Sequence, residues 1–122
     1  ETSGGIRHIH VHDNVFYGEG WSVALHVKTT PRRGNMVEHI SFRNNAVYGT
    51  TSFIRLETNY QMHGPGSLPT DYAPTQVRHL EWINNSYGPP HRRTRASWIC
   101  AANSSCQQIS VVGNLMPEGS SR

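Results

Sequence analysis

Histidine is the residue type whose number and spacing in this sequence first suggest chemistry. The 122-residue chain contains eight histidines, and His8, His10 and His12 alternate along one short segment. Imidazole nitrogens bind zinc and copper, so several histidines on one face predict a metal site. The competing interpretation is a polar outer surface that holds no metal. The choice between the two depends on the elements that carry these side chains.

The histidines belong to a segment that recurs along the chain. The four copies occupy residues 6–18, 37–49, 77–88 and, more weakly, 106–115. They align on one apolar residue in each copy, namely Ile9, Ile40, Leu80 and Ile109. The spacings are 31, 40 and 29 residues. Periods in this range are typical of stacked repeats, each of which buries its apolar face only against its neighbours.

Alternation within each copy predicts a half-buried strand, with Ile9 and Val11 inward and the neighbouring histidines outward. A second strand is expected after a turn in each repeat, at 23–28, 53–57 and 97–101. The sequence therefore predicts an all-β fold, a single-stranded parallel β-helix of about four turns that forms one domain over residues 1–122. Loop excursions from this domain are expected at about 61–75 and 89–95, where Gly and Pro are frequent.

Stacking the copies also predicts columns of side chains on adjacent turns. One column is an asparagine ladder that satisfies backbone groups at a corner, formed by Asn14, Asn45, Asn85 and Asn114. A second column brings histidines within reach of one another and is the predicted zinc or copper site, formed by His8, His10, His39 and His79. In the second strands, the alignment places His26 beside Arg55 and Lys28 beside Glu57, which predicts an ion pair between Lys28 and Glu57.

Composition narrows the possible functions. The formal net charge is +3, and the clustered basic residues, at 32–33 and 92–95, lie beside Pro without an aromatic platform, so no nucleic-acid partner is expected. No segment has the length and apolar character of a membrane span. Two cysteines, Cys100 and Cys106, leave two interpretations open, a small disulfide loop or two buried thiols.

Three segments resemble glycoside hydrolase family 28, the polygalacturonases that degrade pectin. Residues 24–29 (ALHVKT), a turn containing Gly and Arg, and residues 37–40 (VEHI) resemble the family block that carries a substrate-binding Arg and Lys. Residues 53–60 (FIRLETNY) resemble the strand that ends in the family's active-site Tyr. Residues 1–6 resemble the segment that follows the family's Gly-His-Gly motif. The resemblance covers nearly the whole chain and implies a right-handed β-helix.

The resemblance implies an acidic saccharide ligand, because the family hydrolyses glycosidic bonds in pectic polysaccharide. It assigns substrate binding to His26, Lys28 and Tyr60, with His26 standing where the family has Arg. The family's catalytic Asp residues precede the region that this chain resembles, so no catalytic residue is expected here. The expected activity is therefore binding of a pectic or other acidic saccharide, or none for the chain alone. The family also implies a secreted or periplasmic location.

The alternative function is a non-enzymatic interaction or metal-binding module that uses the outward histidine face. In either case, a short β-helix has open ends with unpaired backbone groups and apolar side chains. A homo-oligomer that covers the end formed by residues 4–15 is the expected consequence.

Overall fold

The computed structural model describes residues 4–30, 35–60, 75–88, 95–100 and 104–115 of the chain. Within these ranges the chain forms strands β1 (Ile6–His12), β2 (Val15–Tyr17), β3 (Val23–Lys28), β4 (Met36–Arg43), β5 (Ala46–Tyr48), β6 (Ser52–Glu57), β7 (Thr75–Ile83), β8 (Ser86–Gly88), β9 (Arg95–Ile99) and β10 (Ser104–Val112). The described residues include no helix that is long and apolar enough to cross a membrane.

The strands form three parallel sheets, and each of the first three repeats contributes one strand to each sheet. Sheet A has the order β1-β4-β7-β10, sheet B the order β2-β5-β8, and sheet C the order β3-β6-β9. Ile40 pairs with Ile9 on one side and with Leu80 on the other, and Leu80 pairs with Ile109. This register is the one that the repeat alignment predicts. The fold is all-β with parallel strands in stacked sheets, which is compatible with the predicted β-helix.

The alternation of side chains in sheet A changes phase at one position in every repeat. The backbone there is left-handed, with φ between 53° and 57°, at His8, His39, His79 and Gln108. The pairing between neighbouring strands skips this residue, so Val37 and Ile40 are both buried although they are three positions apart. The alternation that the sequence predicts lies after this residue, and in β7 burial also alternates before it, with Thr75 and Val77 buried. An extra left-handed residue shifts the phase in the way a β-bulge does.

The core lies between the three sheets and consists of apolar side chains from every repeat. Its largest member is Trp82, which is fully buried and whose Nε1 donates a hydrogen bond to the Leu25 carbonyl at 3.1 Å. This bond joins sheet A to sheet C. The Trp82 ring stacks with the rings of Phe42 and Trp98, at centroid distances of 5.5 and 6.0 Å respectively. Burial of these large aromatic surfaces between neighbouring strands stabilises the stack of repeats.

The predicted asparagine ladder is present at the corner between sheets A and B. Asn45 donates from its backbone N and from Nδ2 to Asn85 Oδ1, at 3.1 and 2.9 Å. Asn14 makes the same two bonds to Asn45, and Asn85 makes them to Asn114. Each Nδ2 also donates to a backbone carbonyl near the end of a sheet A strand. The asparagine ladder therefore supplies hydrogen-bond partners to backbone and amide groups at a turn, where strand pairing does not supply them.

Two further sequence predictions have different outcomes. Cys100 and Cys106 form a disulfide, so the first of the two interpretations is correct. The predicted loop excursions fall almost entirely on residues 61–74 and 89–94, which lie outside the described residues. The strands that bound them, β7 and β9, begin at Thr75 and Arg95.

Candidate functional site

The outward surface of sheet C carries the residues that the sequence assigns to ligand binding. His26 and Lys28 on β3 are in register with Arg55 and Glu57 on β6, as the alignment predicts. Tyr60 follows β6 by three positions. These five residues are called the sheet C cluster below.

Local sequence explains why β3 and β6 direct these side chains outward. In a strand, successive side chains point to opposite faces of the sheet. The intervening residues are apolar and buried in the core, namely Leu25, Val27, Ile54 and Leu56. The polar residues of both strands therefore share the outer face, one strand spacing of about 4.8 Å apart.

Glu57 contacts two nitrogen-bearing side chains of this cluster. Its Oε2 lies 3.3 Å from His26 Nε2 and 3.2 Å from Arg55 Nη2. The predicted ion pair between Lys28 and Glu57 is wrong for the described residues, in spite of the correct register. Arg55 lies on the same face of the same strand as Glu57, and its long side chain places the guanidinium in contact with the carboxylate instead.

Lys28 makes a different contact, with the aromatic ring of Tyr60. Its Nζ lies 4.0 Å from the ring centroid, which is a cation–π geometry worth about 0.5–1 kcal/mol at an exposed site. The Tyr60 backbone N donates to the Thr29 carbonyl at 3.2 Å, which fixes the segment that carries the ring beside β3. The structure thus brings Lys28 and Tyr60 together, as expected for residues of one ligand-binding surface.

His26 is largely buried, with 19% of its side chain exposed. Burial lowers the pKa of His26 below its ordinary value of 6.5, and this outweighs the opposing effect of Glu57. Arg55 and Lys28 lower this pKa further by charge repulsion. His26 is therefore neutral at pH 7, and the cluster contains two cations and one carboxylate. Its net charge is positive by one unit, which favours an anionic ligand.

Two buried nitrogen atoms of the cluster have no hydrogen-bond partner. They are His26 Nε2, whose close contact with Glu57 lacks hydrogen-bond geometry, and Arg55 Nε. A buried polar group without a partner costs about 1–3 kcal/mol, so each of the two calls for a physical explanation, such as a bound ligand or a water molecule. Both atoms belong to residues that face the same surface.

Glu57 is the only carboxylate on the three strands of sheet C. Three other carboxylates have partners on sheet A or at its end. Glu38 lies between Arg7 and Arg78, and Glu81 binds Arg43. Asp13 forms a hydrogen bond with His12 at 2.7 Å.

The outward histidines of sheet A form a stack of rings. His39 lies between His8 and His79, with centroid distances of 5.0 and 4.4 Å and interplanar angles of 6° and 9°. His10 does not join the stack, because its Nδ1 is hydrogen-bonded to Ser41 Oγ at 2.8 Å. Three of the four predicted metal ligands are therefore adjacent, and the fourth is engaged separately.

Parallel stacking is an unfavourable starting geometry for metal binding. The lone pairs of an imidazole lie in the ring plane, so the lone pairs of stacked rings run side by side rather than toward one ion. Within the described residues, no group of three or more His, Cys, Asp or Glu is arranged to hold a metal ion. Zinc or copper binding at this column stays a prediction that would require the rings to rotate.

One aromatic contact was missed in the sequence analysis. Tyr17 and Tyr48 stack on the outer face of sheet B, with centroids 5.2 Å apart, and Tyr48 covers Gly88 so closely that a Cβ there would overlap its ring. The signal was present in the repeats, because both tyrosines immediately precede a glycine at the same alignment position. The role of Arg55 as the ion-pair partner of Glu57 was also missed, although the alignment had located it.

Comparison of the chain with family models, with curated proteins and with solved structures gave no match. The resemblance to the polygalacturonases therefore rests on the motifs in the sequence.

Proposed function

We propose that the chain is a right-handed single-stranded parallel β-helix of about four turns, similar to glycoside hydrolase family 28, and that its sheet C cluster binds an acidic saccharide. The observation that carries the proposal is the position of Lys28. Its ammonium faces the Tyr60 ring instead of the carboxylate beside it in register. A cation over an aromatic ring, next to a second cation, suits a sugar acid, whose carboxylate and apolar ring face need these two partners.

The electrostatics of the cluster support an anionic ligand. Lys28 and Arg55 are opposed by a single carboxylate, Glu57, and burial keeps His26 neutral. A ligand carboxylate would neutralise the remaining positive charge. Charge-assisted hydrogen bonds of this kind contribute more than neutral ones, roughly 1.5–3 kcal/mol each.

Binding rather than hydrolysis is the proposed activity of the described residues. Hydrolysis of a glycosidic bond by inversion uses two carboxyl groups about 6.5–9.5 Å apart, one as acid and one as base. Glu57 is the only carboxylate on the strands of sheet C, and it already contacts His26 and Arg55.

Lys28 is the only lysine in the sequence, which permits a selective test. We expect trigalacturonate to protect Lys28 from an amine-modifying reagent, as measured by peptide mass spectrometry, while the N-terminal amine reacts at an unchanged rate. Calorimetry should then show that Lys28→Ala weakens trigalacturonate binding by about tenfold, the equivalent of about 1.4 kcal/mol.

The matched control is Arg43→Ala, which deletes a cation on sheet A that is paired with Glu81. It removes the same formal charge at a distance from the cluster and should leave the affinity unchanged. Equal losses in the two variants would indicate nonspecific attraction to a basic protein. Absence of binding by the unaltered chain would end the saccharide proposal.

The outward histidines are the basis of the alternative function, a metal-binding or interaction module. The observation that favours it is the closeness of His8, His39 and His79. Zinc or copper added to metal-free protein should raise the melting temperature, and His39→Gln should abolish the rise. No change in melting temperature with either metal would exclude the site.

We also propose that a second copy of the chain covers the edge of sheet A formed by β1. Ile6 and Ile9 on this edge are 54% and 43% exposed, whereas Val37 and Ile40, their neighbours in register, are buried. An edge strand with exposed apolar residues and free backbone groups favours pairing with another chain. Light scattering should show an oligomer that Ile9→Lys converts to a monomer, and a monomeric unaltered chain at high concentration would contradict this.

A further inference from the structure

Arg55 has more N–H donors than partners among the described residues. Its described ion pair is one contact from Nη2 to Glu57, its Nε is buried without a hydrogen-bond partner, and about a third of its side chain is exposed, 32%. A guanidinium has five N–H donors arranged in a plane. Much of that donor capacity is therefore available at the surface where Lys28 presents its ammonium.

The neighbours of Arg55 hold it at this surface without fully neutralising it. Glu57 Oε2 is shared between Arg55 and the imidazole of His26, at 3.2 and 3.3 Å. Lys28, the register neighbour of Glu57, is held by the Tyr60 ring and contributes no counter-ion. Because His26 is neutral, Lys28 and Arg55 are opposed by one internal carboxylate, and a ligand carboxylate would balance the second positive charge.

We propose that Arg55 is the residue that binds the carboxylate of the saccharide, and that Glu57 competes for the guanidinium until this carboxylate displaces it. The inference rests on the proposed function and assigns the specificity for sugar acids to one residue. Two parallel N–H donors of a guanidinium match the two oxygens of a carboxylate, which the ammonium of Lys28 and the imidazole of His26 cannot do.

The two cations then have separate tasks. Lys28 acts as a point charge beside an aromatic ring, so it attracts any anion that reaches the surface. Arg55 fixes the orientation of a planar anion, because the two parallel N–H groups of its guanidinium point in one direction. A conservative change from Arg to Lys at position 55 keeps the charge and removes only this pair of N–H groups.

The test compares Arg55→Lys and Glu57→Gln with the unaltered chain, by calorimetry with trigalacturonate and with its methyl ester. Arg55→Lys should weaken trigalacturonate binding by about tenfold, the loss of roughly one charge-assisted hydrogen bond, and should leave the methyl ester unaffected. Glu57→Gln should strengthen trigalacturonate binding several-fold, because the competing internal carboxylate is removed. Arg43→Lys on sheet A is the control for an Arg-to-Lys change and should have no effect.

The outcomes separate this inference from the proposed function. If the unaltered chain binds trigalacturonate, and Lys28→Ala weakens binding while Arg55→Lys does not, the role of Arg55 is refuted and the saccharide site stands. Weaker binding by Glu57→Gln would also refute it, since Glu57 would then contact the sugar itself. Failure of the unaltered chain to bind overturns both proposals. Melting curves of each variant verify that it is folded, and Glu57→Gln provides the test if Arg55→Lys unfolds.

Discussion

Asn85→Ala should be among the most damaging substitutions in this protein, because the side chain is fully buried and makes four hydrogen bonds. Its Oδ1 accepts from Asn45 N and Nδ2, and its Nδ2 donates to Phe42 O and Asn114 Oδ1. Alanine leaves the Asn45 amide and the Phe42 carbonyl without these partners inside the protein. At about 1–3 kcal/mol for each buried group, the expected loss of unfolding free energy is about 2–6 kcal/mol.

Asn14→Ala is the matched control, because Asn14 occupies the same position in the ladder but is exposed. Its Nδ2 donates to Asn45 Oδ1 and to the carbonyl of the exposed His12. Water can replace these bonds, and the Asn14 backbone N still donates to Asn45 Oδ1. The expected loss is below about 1 kcal/mol.

Urea unfolding followed by circular dichroism measures both losses, provided that the m-value is the same in all three proteins. A domain of this size has a total stability of about 5–15 kcal/mol, so the Asn85 variant should have a much lower urea midpoint or be unfolded without urea. Equal midpoints for the two variants would refute the reasoning, since they would show that the ladder bonds contribute no more when buried than when exposed.

Three further predictions concern the turns, the ion pairs and the disulfide. Gly49→Ala should cost about 1–3 kcal/mol more than Gly20→Ala in urea unfolding. Both glycines have positive φ, but only at Gly49 would a Cβ overlap a backbone atom, the carbonyl oxygen of Gly18. The hydrogen bond from Arg78 depresses the pKa of Glu38, so Glu38 adds stability above its unfolded pKa of about 4.5 and that stability is lost as the pH falls through the folded pKa. Glu38→Gln should therefore be less stable than the unaltered chain at pH 7 and nearly equal to it at pH 2, and a difference in urea midpoint that did not shrink would contradict this. Removal of the disulfide, which spans a separation of 6 residues, should cost about 2 kcal/mol through the entropy of the unfolded chain, and an unchanged urea midpoint after replacement of both cysteines by serine would argue against it.

The stacking of the repeats was predictable because it depends on patterns that recur in the sequence. Ile9, Ile40 and Leu80 are aligned copies of one position, and each must bury its apolar side chain against the next copy. The same repetition located the asparagine ladder, since an amide at a fixed place in each copy has an equivalent amide above and below. Parallel pairing then follows, because identical segments can stack in register only in the same direction.

Within the sheet C cluster, the sequence located the residues but not their contacts. The alignment placed Lys28 beside Glu57, and opposite charges in register suggested an ion pair. The choice among several cations for one carboxylate depends on side-chain length, on direction and on the Tyr60 ring, which belongs to another part of the chain. Differences of about 1 kcal/mol decide such contacts at a partly exposed surface, and no periodicity in a sequence carries that information.

The sequence by itself determined which segments lie next to one another, because burial of repeated apolar positions leaves one register for the stack. Only the tertiary structure decided that Glu57 pairs with Arg55 and His26, that His8 and His39 adopt a left-handed backbone which shifts the phase of sheet A, and that the two cysteines are bonded. The physical reason is that register follows from the hydrophobic effect, which acts on whole strands. Ion pairs, backbone phase and disulfides depend on the positions of a few atoms in three dimensions.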